Sequence, residues 1–194
     1  MTIALEALDS RYFLPQPGLD RAWLDGAIGD VLIRLDAMLP RFTATFPAAS
    51  ASHGRYESVE RVDWTEGFWT GMLWLAWEVT GDEKYRAVAE SLLDSFEERL
   101  DKEIKVDTHD LGFLYLLSCV NAWKLTGNLR ARELALRAAE LLYRRFHATA
   151  GVIQAWGDLN DPARQGRMII DCNMNLPLLY WASEQTGDPR YAQA

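Results

Sequence analysis

Asp107-Thr108-His109-Asp110 places two carboxylates and an imidazole within four residues, and Asp171 stands ahead of another apolar segment. Groups of these types can move protons: one carboxyl donates, while a second, ionised carboxylate steadies positive charge that develops nearby. Two such groups flanking one cleft are the equipment of sugar hydrolysis. A plainer reading also fits. Asp107 and Asp110 have capping-box spacing, Asp63 and Glu66 repeat it, and Asp171 or Asn173 could cap a helix that Pro177 restricts to a start near Asn173. His109 would then only fill the rim. A cap uses one Asp per helix, whereas this stretch crowds in two with a histidine, so spacing leaves both readings open. The long connection 147–170 carries Gln154-Ala155-Trp156-Gly157, Arg164 and Arg167. Trp and Arg together suit an acidic sugar by stacking and charge-assisted hydrogen bonds, and an ordinary surface loop would carry them as well. Trp64, at a helix mouth, is best placed for ligand contact; Trp69, Trp74 and Trp77 read as core.

These groups need elements to position them. Thr80-Gly81-Asp82, Thr126-Gly127-Asn128 and Thr186-Gly187-Asp188 each close an apolar segment, at intervals of 46 and 60 residues. Helix-pair repeats of this size build solenoids or toroids. Residues 64–79 and 111–125 are apolar almost all round, which predicts helices buried on every side. By contrast, 83–100 has a single stripe (Tyr85, Val88, Ala89, Leu92, Leu93, Phe96, Leu100), and 129–146 is striped in the same way. Alternation of these kinds predicts an all-α, double-layered α/α barrel with 64–80, 110–126 and 174–186 inside and 83–100 and 129–146 outside. Gly67, Gly71 and Gly112 mark close approach between inner helices. A first helix follows Asp20 and stops at Pro40, residues 1–18 form an irregular arm, and essentially no strand is expected. The last repeat breaks off after one turn of an outer helix without a polar cap. The expectation is one domain over 1–194 that is the N-terminal part of a longer barrel, with positions such as Leu176, Leu179 and Tyr180 left unpaired. Such a chain should self-associate and should not turn over substrate efficiently alone.

Composition narrows the partners. A net charge of −8 argues against nucleic acid, and an anionic substrate would need a local basic patch. Cys119 and Cys172 lack metal or redox spacing and read as reduced core thiols. With no signal-peptide pattern and no long uncharged apolar run, the expectation is a cytoplasmic protein that contacts no membrane.

Four blocks in order carry a resemblance: Trp64-Thr65-Glu66-Gly67-Phe68-Trp69-Thr70-Gly71-Met72-Leu73-Trp74, Thr108-His109-Asp110-Leu111-Gly112-Phe113, Gln154-Ala155-Trp156-Gly157 and Asp171-Cys172-Asn173-Met174-Asn175. From about residue 55 onward the chain resembles the unsaturated glucuronyl hydrolases, glycoside hydrolase family 88. The resemblance implies an (α/α)6 barrel that removes the unsaturated uronic acid left at the non-reducing end by polysaccharide lyases. It implies Asp171 as general acid/base, Asp110 as its partner, and His109, Trp64 and Trp156 lining the sugar subsite, with no metal or other cofactor. The family's later inner helices have no counterpart in these residues. The alternatives are an unsaturated rhamnogalacturonyl hydrolase and, from a different class, a non-catalytic helical repeat that binds a partner. An epimerase of the N-acylglucosamine type would want more histidines than His53, His109 and His147.

Overall fold

The computed structural model describes residues 20–60, 64–163 and 165–194. The arm at 1–18, Asp63 and Arg164 therefore lie outside the described residues. The chain divides into two compact units, residues 1–39 and 40–194. In the first, α1 runs Arg21–Met38 and ends just ahead of Pro40. Asp20 has an extended backbone and accepts a hydrogen bond from the Trp23 amide, satisfying one of the amides that a helix start leaves unpaired.

The second unit holds the helical repeats: α2 (Glu66–Thr80), α3 (Glu83–Ser91), α4 (Leu93–Asp101), α5 (Leu111–Tyr115), α6 (Asn121–Thr126), α7 (Leu129–Tyr143), α8 (Cys172–Asn175), α9 (Pro177–Thr186) and α10 (Arg190–Gln193). Each Thr-Gly-Asp/Asn turn is built alike. Gly81, Gly127 and Gly187 adopt left-handed backbone (φ 69°, 72° and 73°) and end α2, α6 and α9; glycine has no Cβ to clash there. Thr80, Thr126 and Thr186 donate their hydroxyls back to the carbonyl four residues earlier. Asp82, Asn128 and Asp188 then accept amide hydrogen bonds from Lys84, Ala131 and Arg190.

The expected spans hold, with breaks. The 83–100 helix divides at Leu92, where the Ser91 hydroxyl donates to the Val88 carbonyl and competes with the helical ladder. A π turn over Leu116–Val120 separates α5 from α6. Pro177 has no amide hydrogen, so α8 ends before it and α9 begins on it.

Three expectations are corrected. Strands exist: β1 (Phe46–Ser52) and β2 (Arg55–Val59) form a hairpin, and β3 (Phe146–His147) pairs with β4 (Val152–Ile153). The first hairpin turns on His53-Gly54, both at positive φ, as a tight two-residue turn requires. Second, α2 is not buried all round, because Phe68, Met72, Leu75 and Val79 form an exposed apolar stripe. Third, Leu179 is buried, although Tyr180 beside it is exposed as expected.

The core lies between the two layers. All five residues of α5 are buried, and α7 buries a single stripe of Ala131, Leu134, Ala135, Ala138, Ala139 and Leu142. The Tyr115 hydroxyl donates to the Phe96 carbonyl across the layers. Glu66 and Arg99, both buried, pair at 2.9 Å between α2 and α4. The close approach expected at the inner glycines is present: a Cβ on Gly67 would overlap the Phe113 carbonyl, and one on Gly112 the Asn175 backbone.

Candidate active site

Asp110 and Asp171 stand immediately ahead of α5 and α8. Both have αR backbone (φ −62°, ψ −2° and φ −67°, ψ −10°), and neither side chain caps its own helix. The capping-box reading of Asp107 is corrected too. Asp107 pairs with the buried guanidinium of Arg145 instead. Asp110 accepts a hydrogen bond from the Thr108 hydroxyl at 2.8 Å on Oδ2.

Between the two carboxyls sits His109, almost wholly buried. Its Nε2 lies 3.4 Å from Asp110 Oδ1 and 3.6 Å from Asp171 Oδ1. The His109 backbone is fixed by its amide hydrogen bond to the Ala155 carbonyl, 2.8 Å. Burial pushes the imidazole below its usual pKa; Asp110 and Asp171 pull it back up, and Arg145 pushes it further down. Asp171 Oδ1 and His109 Nδ1 are enclosed without a hydrogen-bond partner among the described residues. An enclosed acceptor and ring nitrogen left unsatisfied are costly, and a proton or a ligand could satisfy them. One atom from each of His109, Asp110 and Asp171 lies within 4.8 Å of the others, so the trio could also be offered to a divalent cation.

The other expected residues approach from two sides. Trp64, exposed by 42%, contacts Phe68 and Phe113, ring centroids 5.8 and 5.4 Å apart. Phe113 follows Asp110 by less than one helical turn, so this aromatic cluster adjoins the mouth of α5. Trp156, also half-exposed, pairs by a β-bridge with Thr108, next to His109. The Arg167 guanidinium lies over the Trp156 ring at 5.3 Å.

Three residues given no role from the sequence hold this arrangement, two of them (Gln154 and Asn175) within the four blocks that carry the resemblance and Arg145 outside them. Gln154, fully buried, donates its amide to the carbonyls of Trp156 and Gly157. Arg145 donates to the Gln154 and Gly157 carbonyls while pairing with Asp107. Asn175, fully buried, accepts from the Phe113 amide at 2.8 Å and donates to the Asp171 carbonyl at 3.2 Å. Asn175 lies four residues after Asp171, a spacing that permits the second bond. Nothing in the spacing of Arg145 announces its partners.

Comparison with known proteins follows the same residues. Residues 36–194 match Glycosyl Hydrolase Family 88. The unsaturated glucuronyl hydrolase of Bacillus sp. (strain GL1) is 52% identical over 165 residues, covering 85% of this chain and 44% of that protein. The unsaturated chondroitin disaccharide hydrolase of Streptococcus pyogenes serotype M1 is 41% identical over 196 residues, with 98% and 48% covered. The crystal structure of unsaturated glucuronyl hydrolase from Streptococcus agalactiae superposes with a TM-score of 0.90 at 35% identity, covering all of this chain and 49% of that one. The chain thus spans about half the length of the curated relatives it matches, and its helical repeats are those of an (α/α)6 barrel over that half. With the match running through both carboxylates and all the helical repeats, the chain belongs to Glycosyl Hydrolase Family 88.

Proposed function

We propose that these residues form the N-terminal half of one α/α barrel, and that the barrel removes an unsaturated (4,5-dehydro) uronic acid from the non-reducing end of lyase-made oligosaccharides. The observation that carries this reading is the pair of carboxyls, neither spent on capping, on either side of one imidazole. The double bond of such a sugar is a vinyl ether. Asp171 gives a proton to carbon 4, and positive charge develops at carbon 5 beside the ring oxygen. Water bonds to carbon 5 and returns its proton to Asp171. The hemiketal so formed opens: its carbon 5 becomes a ketone and the ring oxygen stays on carbon 1 as a hydroxyl. That hemiacetal then expels the partner sugar.

The two carboxyls have environments that suit different roles. Thr108 donates to Asp110, which favours a carboxylate held as an anion to steady the cationic transition state. Among the described residues nothing donates to Asp171 Oδ1, which leaves it open to carry the proton. His109 lines the same cleft, Trp64 and Trp156 offer stacking faces, and Arg167 over Trp156 is the local positive charge for a uronate. No step needs a metal.

The names of the relatives support glucuronyl and chondroitin disaccharide substrates over the rhamnogalacturonyl alternative and over a binding module. A cytoplasmic setting fits the two buried free thiols. The exposed stripe of α2 favours self-association of the 194-residue chain, which light scattering would register.

The test is the ultraviolet absorbance of an unsaturated chondroitin disaccharide incubated with the whole enzyme. We expect the signal to decay with wild type and to persist with Asp171→Asn. A wild type that leaves it unchanged, or an Asp171→Asn variant that bleaches it at the wild-type rate, would overturn the reading.

A further inference from the structure

We infer that Asn175 is a positioning residue for the carboxyl pair: it caps α5 from another helix and so fixes Asp110 against Asp171. The inference rests on the two-carboxylate reading above.

A helix start leaves its first amides without partners. In α5 the residue placed to cap is Asp110, but its αR backbone turns the side chain away, and no cap bond forms. The Phe113 amide is satisfied instead by Asn175 Oδ1, 62 residues further on. The same side chain donates Nδ2 to the carbonyl of Asp171. One buried amide group therefore touches the first turn of the helix behind one carboxyl and the backbone of the other. Gly112 lets the two segments meet this closely, since any Cβ there would overlap the Asn175 backbone.

The consequence is a division of labour. A carboxylate that capped α5 would be held by a backbone amide and lost to chemistry. With the capping done by a neutral amide, Asp110 keeps its Oδ1 facing His109 Nε2. Asn is suited to this because it accepts on one atom and donates on the other. Leu would fill similar volume and satisfy neither partner; Asp would accept from Phe113 but could not donate to Asp171.

Turnover of the unsaturated disaccharide by the whole enzyme separates positioning from mere support. For Asn175→Ala we expect kcat to fall by about tenfold or more with KM changed by less than about threefold, as loss of a transition-state interaction does. In an Asp110→Asn background the same change should add little, because residues acting as a unit are not additive. Amide exchange at Phe113 should speed up in Asn175→Ala and slow again in Asn175→Asp, which restores the acceptor. Unchanged kcat beside faster exchange would leave Asn175 a structural clamp only, and unchanged exchange would deny the cap itself; either overturns the inference. A silent wild type sinks the catalytic reading and this inference together. An active wild type with an unaffected Asn175→Ala sinks only the latter.

Discussion

Asp82 and Asp188 at the Thr-Gly-Asp turns, and Asp110 and Asp171 at the opposite, mouth end of the repeats, all sit where a helix begins. At the turns, Asp82 has extended backbone (φ −78°, ψ 112°), as has Asn128 in the equivalent place (φ −65°, ψ 104°), and both side chains accept from the helix they start. At the mouth, Asp110 and Asp171 have αR backbone and their side chains do not cap the helices they precede. One residue type in one formal position thus does two jobs. The backbone ahead of the helix decides which, because an extended N-cap aims its side chain at the unpaired amides and an αR one does not. Structural carboxylates are used up locally; the mouth carboxylates are left facing an imidazole.

The largest contrast should be in turnover. Replacing Asp171 or Asp110 by Asn in the whole enzyme should lower kcat by about 10²–10⁴-fold, the usual worth of a positioned proton-transfer group. Asp82→Asn, which keeps a capping oxygen, should leave kcat unchanged. Steady-state kinetics on the three variants would break the comparison if Asp82→Asn were as impaired as the others.

Next in size is the seam that holds the mouth together. Gly112→Ala forces a methyl into the Asn175 backbone, and overpacking of this kind costs about 1–3 kcal/mol, more where backbone must move. Denaturant titration against Gly26→Ala, where added volume meets nothing, would show whether close packing or helix propensity sets the effect. A Gly112→Ala protein as stable as wild type would contradict the seam.

A smaller loss belongs to the turns. Asp82→Ala and Asn128→Ala should each cost about 1 kcal/mol, the typical worth of an N-cap, read as a shifted unfolding midpoint with kcat unaffected.

The smallest effect is in pH. Burial lowers the pKa of His109 in the folded protein, so the unfolded chain binds that proton first as pH falls. The neutral, buried imidazole is fully favourable above the unfolded value near 6.5. This contribution declines as pH drops through that value and levels off below the lowered folded pKa. His109→Gln should therefore flatten the acid side of the stability profile just below neutrality, and an unchanged profile would show that His109 does not titrate in this way.

The repeats were legible because each level of the sequence agreed. Thr-Gly-Asp/Asn gives a hydroxyl, a left-handed glycine and a cap in successive residues, and the structure uses all three. Stripe patterns likewise placed the helical spans. The hairpin at 46–59 was not legible, since its strands Phe46–Ser52 and Arg55–Val59 lack a β-branched alternation and its only local cue is His53-Gly54. Nor could pattern foresee the stripe that α2 leaves exposed, because an all-round apolar helix looks the same whether or not every side is covered. At the site, Asp110, Asp171, His109, Trp64 and Trp156 could be named as candidates from residue type and resemblance. Capping and catalysis could not be separated, because the distinction lies in backbone dihedrals and in Asn175 and Arg145, partners distant in sequence.

The most direct test of that distinction needs no substrate. Equilibrium unfolding of Asp82→Ala and Asp171→Ala, measured side by side under one buffer, compares a carboxylate that caps with one that does not. Asp82→Ala should lose about 1 kcal/mol. Asp171→Ala should stay level or gain stability, since it removes an enclosed oxygen that lacks a hydrogen-bond partner among the described residues. An Asp171→Ala protein destabilised as much as Asp82→Ala would show that Asp171 is a structural cap after all.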